Sequence, residues 1–160
     1  MIQQCLLLVF SFALISAAII DLMTFTIPNR IALLLFTSFL VGAIALNLHW
    51  PIILNHLGAG ASVLLVGFSM FARGWIGGGD TKLMGAAALW MGFDHLLSFL
   101  LWTALMGGAL ALFLLAYRSI LPPIWLIGQP WALRLHDPRE GIPYGVAIAG
   151  AGLLVYPSTS

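Results

Sequence analysis

The chain has 160 residues, of which 62% are hydrophobic and only 7% are charged, and its formal net charge is +1. Soluble domains carry about 25% charged residues, so this composition excludes a soluble globular protein and predicts a polytopic membrane protein. We expect a single transmembrane domain over residues 1–160, without a second soluble domain. There is no basic patch to indicate a nucleic-acid partner. The single cysteine, Cys5, excludes an internal disulfide and any Cys-x-x-Cys metal site.

Six apolar segments follow one another along the chain. They cover approximately residues 2–20, 31–46, 52–72, 81–93, 96–117 and 142–156. No Lys or Arg precedes the first segment, so we interpret it as a retained membrane helix and not as a cleavable signal peptide. A spanning helix needs about 20 apolar residues, and short, Gly-interrupted spans are where membrane proteins often place a site. The pattern predicts an all-α protein with about six transmembrane helices, of which the fourth and sixth are short.

The positive charges fall on one side of this arrangement. The Lys and Arg residues lie in or beside the odd-numbered connections, namely Arg30, Arg73, Lys82, Arg118, Arg134 and Arg139. The positive-inside rule then places these connections in the cytoplasm and both termini outside. The longest connection, residues 118–141, combines tryptophans with basic residues. It is either a segment on the membrane surface or an ordinary loop with interfacial anchors, and a role in holding a substrate stays open.

Two carboxylates stand beside apolar segments on the predicted cytoplasmic side. Asp21 follows the first segment, and Asp80 precedes the fourth, directly after three glycines. An acid at the edge of a membrane helix is costly and marks a functional site by default, although Asp80 could simply cap a helix. Two carboxylates in a low-dielectric site share a proton, so one can activate a water while the other protonates a peptide carbonyl. The histidines lie on both faces without metal-ligand spacing, so we expect no metal site.

Three motifs, in this order, resemble those of the type IV prepilin peptidase family of GxGD membrane aspartic proteases. They are Asp21 followed by Ile27-Pro28-Asn29, the run GGGDTK at residues 77–82, and the run IPYGVAIA at residues 142–149. By this resemblance, Asp21 and Asp80 are the two catalytic aspartates. The resemblance also assigns site-shaping positions to Gly77, Gly79, Lys82, Pro143, Tyr144 and Gly145. Simpler roles are open for Lys82 as a membrane anchor and for Pro143 as a helix start.

The resemblance implies an aspartic endopeptidase of the bacterial inner (cytoplasmic) membrane. Such an enzyme needs no cofactor and removes the short basic leader of a type IV prepilin at the cytoplasmic boundary of the lipid bilayer. The longer bacterial members carry a cytoplasmic insertion with paired Cys-x-x-Cys motifs and also N-methylate the product. This chain has neither the insertion nor the cysteines, so it is similar to the short, peptidase-only branch of tight-adherence (Flp-type) pili.

Other functions fit the same acids. The chain could be another GxGD intramembrane protease, a non-catalytic scaffold among the pilus-assembly proteins, or a small transporter that uses the acids as a proton relay. A transporter of this length is expected to show repeated halves, and the sequence shows none. Contacts with other pilus-assembly proteins and the oligomeric state stay open at this point.

Overall fold

The computed structural model describes residues 1–119, 130–137 and 140–156, and the secondary structure in these ranges is helical. In chain order the helices are α1 (Ile2–Thr24), α2 (Asn29–Ala45), α3 (Trp50–Ala72), α4 (Gly78–Arg118), α5 (Pro130–His136) and α6 (Tyr144–Val155). The predicted all-α fold is therefore confirmed. Half of the predicted surface segment at residues 118–141, including Arg139, lies outside the described residues.

The connection between α1 and α2 is set by local backbone chemistry. Helix α1 continues through Asp21 to Thr24, one turn beyond the apolar run, and ends at Phe25 in the left-handed conformation (φ 55°). The Phe25 N–H bonds the Asp21 carbonyl oxygen at 2.8 Å and so closes the last turn. Pro28, with φ fixed near −63°, then precedes the first residue of α2. The result is a tight loop that begins one turn after Asp21.

Gly92 divides α4 into two arms, residues 78–91 and 93–118. Its dihedral angles (φ 63°, ψ 178°) are not helical, and only glycine adopts them readily. On the second arm, Gly107 packs against Tyr144 at the start of α6, and the next residue of α6, Gly145, contacts Asp21. The second arm therefore returns toward the end of the molecule where the first arm begins. The fourth and fifth apolar segments of the sequence are the two arms of this element.

Within the described residues, three helices are long and apolar enough to cross a membrane, namely α1, α3 and α4, whereas α2 and α6 are shorter apolar helices. Only 22 to 28% of the most apolar window of each long helix is buried inside the structure. Most of their apolar side chains therefore face outward, as expected where lipid is the solvent. The number of six spans and the outside location of both termini stay predictions.

An aromatic cluster ties the helices together at the end remote from Asp21. Phe10 of α1, Phe39 of α2, Trp90 of α4 and Tyr156 after α6 form ring pairs with centroid separations of 4.6 to 6.0 Å. The Trp90 indole N–H also donates to a backbone carbonyl of α2 at 2.9 Å, which satisfies the buried donor. A cavity of about 520 Å³ opens beside this cluster, and its lining includes neither Asp21 nor Asp80.

Candidate active site

Asp21 is a buried carboxylate held by the backbone of a distant helix. Only 3% of its surface is exposed, and it lies in the last turn of α1. Its Oδ2 atom accepts a 2.7 Å hydrogen bond from the backbone N–H of Gly145, in the first turn of α6. Because a backbone N–H can only donate, Oδ2 is the acceptor in this bond. This bond joins the first and third sequence motifs.

Asp80 is the second carboxylate of the site. It is half-buried in the first turn of α4, which begins at Gly78 and not at Thr81. Its carboxylate faces the backbone N–H of Gly77, the N-cap residue, as acidic side chains at the third helical position commonly do. Asp80 and Asp21 are close enough for their carboxyl groups to interact electrostatically. The structure therefore brings together the two acids that the sequence singled out.

Two of the predicted glycines lie against these carboxylates. A Cβ atom at position 77 would lie 2.8 Å from Oδ2 of Asp80, and one at position 145 would lie 2.7 Å from Oδ2 of Asp21. Both distances are shorter than Cβ contacts in folded proteins, so any side chain at either position would displace a carboxylate. Glycine at Gly77 and Gly145 is thus a steric requirement of the site.

Ile27 packs between two of the motifs, a role that the sequence did not assign to it. A Cβ atom at position 79 would lie 3.2 Å from the Ile27 Cβ and 3.4 Å from its backbone nitrogen. A Cβ atom at position 145 would lie 2.9 Å from the Ile27 Cδ1. The loop between α1 and α2 is thus wedged against the first turns of both α4 and α6. In the sequence, only the position of Ile27 beside Pro28 and Asn29 pointed to this role.

Lys82 binds a partner in the first motif. Its Nζ atom donates a 2.9 Å hydrogen bond to the side-chain oxygen of Asn29, the first residue of α2. This contact ties the start of α2 to the second turn of α4. Lys82 therefore supports the loop that carries Ile27, and a role as a membrane anchor remains compatible with this position.

Pro143 and Tyr144 lead into the helix that holds Asp21. Pro143 is fully buried and forms the N-cap of α6. The ring of Tyr144 packs on the second arm of α4, where a Cβ atom at Gly107 would lie 2.9 Å from Tyr144 Cε1. Tyr144 thus fixes the start of α6 against α4. Through the next residue, Gly145, it supports the hydrogen bond to Asp21.

Arg118 is a further supporting residue that the motifs did not reveal. Its Nε atom donates to the carbonyl of Leu135 at 2.9 Å, and its Nη2 atom donates to the carbonyls of Glu140 and Gly141 at 3.0 Å each. Hydrogen bonds from a charged donor are stronger than neutral ones. Arg118 therefore fastens the segment just before Pro143 to the end of α4. In the sequence, Arg118 was recognisable only as a positive charge beside a predicted membrane segment.

Acid–base chemistry is what this arrangement offers. Two carboxyl groups lie close together, each beside a backbone N–H, and such a pair can hold and pass a proton. Among residues 1–119, 130–137 and 140–156, no group of three or more His, Cys, Asp or Glu side chains could hold a metal ion.

Comparison with protein families gives one match, to the type IV leader peptidase family, over residues 8–112. This range is about two thirds of the chain and includes Asp21 and the whole of residues 77–82, whereas Pro143, Tyr144 and Gly145 lie beyond it. No significant match was found among curated proteins or among solved structures. The length of the family match and its inclusion of both carboxylates lead to one conclusion. The chain belongs to the type IV leader peptidase family.

Proposed function

We propose that this protein is a membrane aspartic endopeptidase that removes the leader peptide from a type IV prepilin, with Asp21 and Asp80 as its catalytic pair. The observation that carries the proposal is the convergence of the two carboxyl groups from α1 and α4, with one of them anchored by the Gly145 N–H of α6. Membership of the leader peptidase family supports the same reaction class.

In the proposed mechanism the two aspartates share one proton. The ionised carboxyl takes a proton from a water molecule, whose oxygen bonds to the carbonyl carbon of the scissile peptide. The protonated carboxyl donates its proton to the carbonyl oxygen and so stabilises the charge that develops there. When the C–N bond breaks, the leaving nitrogen takes the proton that came from the water. The new carboxyl group returns a proton to the second aspartate, which restores the starting state.

The membrane position of the site supports a prepilin as substrate. From the charge pattern we expect the loop before Asn29 and the loop before Asp80 to lie on the cytoplasmic side, which is where a basic leader remains when its apolar helix enters the bilayer. Residues 1–160 contain neither the insertion nor its paired Cys-x-x-Cys motifs, which supports the peptidase-only branch that serves tight-adherence (Flp-type) pili. We therefore propose a multi-pass protein of the bacterial inner membrane.

Co-expression with a Flp-type prepilin tests this function. Leader removal is scored by gel shift for the wild type, Asp21→Asn and Asp80→Asn, and the amount of each variant in the membrane fraction is measured in parallel. Each amide variant keeps the size of the side chain but cannot act as a general base, so we expect full-length prepilin to accumulate with both. Asp137→Asn is the matched control, because Asp137 is an exposed acid just after α5 and does not belong to the proposed pair, and it is expected to cleave normally.

The alternative functions predict different results in this experiment. Cleavage by either amide variant would show that the substituted aspartate is structural and that the paired mechanism is wrong. Full pilus assembly without any leader cleavage would favour a non-catalytic scaffold. Cuts within the transmembrane segment of the test protein, and not at its leader junction, would favour a broader GxGD intramembrane protease.

A further inference from the structure

The chain reverses its direction at Gly92, and this reversal interrupts the helical hydrogen bonding of α4. Two backbone groups are left in need of other partners. In a continuous α-helix the N–H of Phe93 would bond the carbonyl oxygen of Leu89. Here the Phe93 N–H donates to Asn55 Oδ1 at 2.7 Å, and the Leu89 oxygen lies 2.8 Å from His56 Nδ1. Because a carbonyl only accepts, His56 Nδ1 carries the proton and donates it. Two adjacent side chains of α3 thus satisfy both groups.

The Asn55 amide is oriented by a second contact. Its Nδ2 atom donates to Oδ2 of Asp94 at 3.4 Å, which leaves Oδ1 directed at the Phe93 N–H. Gly92 is required beside it, because a Cβ atom there would lie 2.9 Å from Asn55 Oδ1 and 3.2 Å from the His56 ring. The reversal and its two partners on α3 therefore form one interlocking unit.

The remainder of the contact between α3 and the first arm of α4 pairs glycines of one helix with larger side chains of the other. The two helices run antiparallel, with Gly60 against Leu89 near the reversal and Gly67 against Thr81 near Asp80. Glycines let helix backbones approach closely, and Leu64 of α3 packs against Gly85 of α4 between these two contacts. A polar side-chain contact specifies the register between packed helices, because a lengthwise shift leaves its donor or acceptor without a partner.

We infer that Asn55 and His56 are positioning residues that fix the register of the first arm of α4 on α3, and thereby the depth at which Asp80 is held. The first arm is a single helix with Asp80 in its first turn and Leu89 in its last. If the first arm shifts along α3 at Gly92, Asp80 therefore shifts by nearly the same distance. The consequence for catalysis rests on the proposed function, whereas the register itself does not.

A disulfide reports the register independently of proteolysis. A Cβ atom at position 67 would lie 3.5 Å from the Cβ of Thr81, within the range that a disulfide requires. The Gly67→Cys/Thr81→Cys pair is placed in a Cys5→Ala background, and the rate of oxidative crosslinking is measured in membranes. With Asn55→Leu/His56→Leu added, we expect crosslinking to slow about tenfold, because both polar partners of the reversal are lost. An unchanged rate overturns the inference.

Two further variants separate the hydrogen bond from general packing. His56→Asn keeps an N–H donor close to the position of Nδ1, and we expect it to crosslink like the wild type, whereas His56→Leu does not. His49→Leu removes an exposed histidine at the N-cap of α3, where no side-chain capping bond is made, and it should have no effect. If His56→Asn is as slow as His56→Leu, ring packing against Phe39 and not the bond is responsible, and the inference fails.

Cleavage kinetics then test the link to Asp80. In the native background, His56→Leu should lower kcat for prepilin cleavage with little change in KM, because it moves a catalytic group without touching the substrate. His56→Asn should restore kcat. Loss of crosslinking with unchanged cleavage would leave the register inference standing and would contradict the catalytic role proposed for Asp80.

Discussion

The substitution Gly145→Ala tests the contact on which the proposed site depends most. The new Cβ atom would lie 2.7 Å from Asp21 Oδ2, 2.9 Å from Ile27 Cδ1 and 3.0 Å from Asp21 Cβ. Three atoms on two residues cannot all move aside, so the carboxylate must leave the Gly145 N–H. A hydrogen bond to a charged group contributes about 1.5–3 kcal/mol. If that contribution is lost in the transition state, cleavage slows by about 10- to 150-fold.

The measurement is the first-order rate of prepilin cleavage in membranes, normalised to the amount of enzyme. Gly108→Ala is the matched control, because Gly108 is a helical glycine of α4 with no atom near its added Cβ. An exposed change of this kind should alter the rate by no more than about twofold. A rate for Gly145→Ala that equals the control, at equal membrane levels, would refute the role given to the Gly145–Asp21 bond.

Three further substitutions test the supports of the site and the core. Lys82→Met removes the hydrogen-bond donor to Asn29. Cleavage should slow about fivefold, which corresponds to the loss of one hydrogen bond of ~1 kcal/mol. Equal cleavage rates for Lys82→Met and the wild type would contradict a role for this contact. Arg118→Lys keeps the charge but cannot reproduce three hydrogen bonds to backbone carbonyls, so cleavage should slow. Arg134→Lys is the control, because Arg134 is exposed on α5 and its substitution should leave the cleavage rate unchanged. Trp90→Phe loses its bond to α2 and should lower Tm in detergent by about 2–4 °C, which an unchanged melting curve would contradict.

Hydropathy and charge carried much of the fold prediction because both act locally along the chain. The apolar segments became helices, and the convergence of Asp21 with Asp80 followed from placing the odd-numbered connections on one side. The helix ends were less predictable. Asp21 lies in the last turn of α1 and not just beyond the helix, since that turn is closed by Phe25 in a left-handed conformation that no sequence rule requires.

The contacts that shape the site were beyond the sequence for a physical reason. The donor to Asp21 is a backbone N–H, which every residue except proline possesses, so the identity of Gly145 does not reveal it. Likewise, a positive charge at Lys82 fits membrane topology equally well whether or not it bonds Asn29. The sequence could supply the candidate residues, but only tertiary packing selects their partners.

The packing around the first turn of α4 predicts that glycine is required at positions 77 and 79 but not at position 78. At Gly77 an added Cβ meets the Asp80 carboxylate at 2.8 Å, whereas at Gly78 it meets only the outer ring atoms of the exposed Phe71, at 3.2 Å or more.

At Gly79 the contact is different in kind. An added Cβ meets the Cβ atom, backbone nitrogen and carbonyl oxygen of Ile27 at 3.2 to 3.5 Å, and these atoms cannot rotate away. We therefore expect Gly78→Ala to cleave normally, because a helical Ala is favoured over Gly and the Phe71 ring can swing aside. Gly79→Ala should slow cleavage about tenfold, because the new Cβ atom pushes the first turn of α4, which carries Asp80, away from Ile27. Equal rates for Gly78→Ala and Gly79→Ala in the gel-shift assay would mean that the loop yields freely, and that Ile27 does not set the position of Asp80.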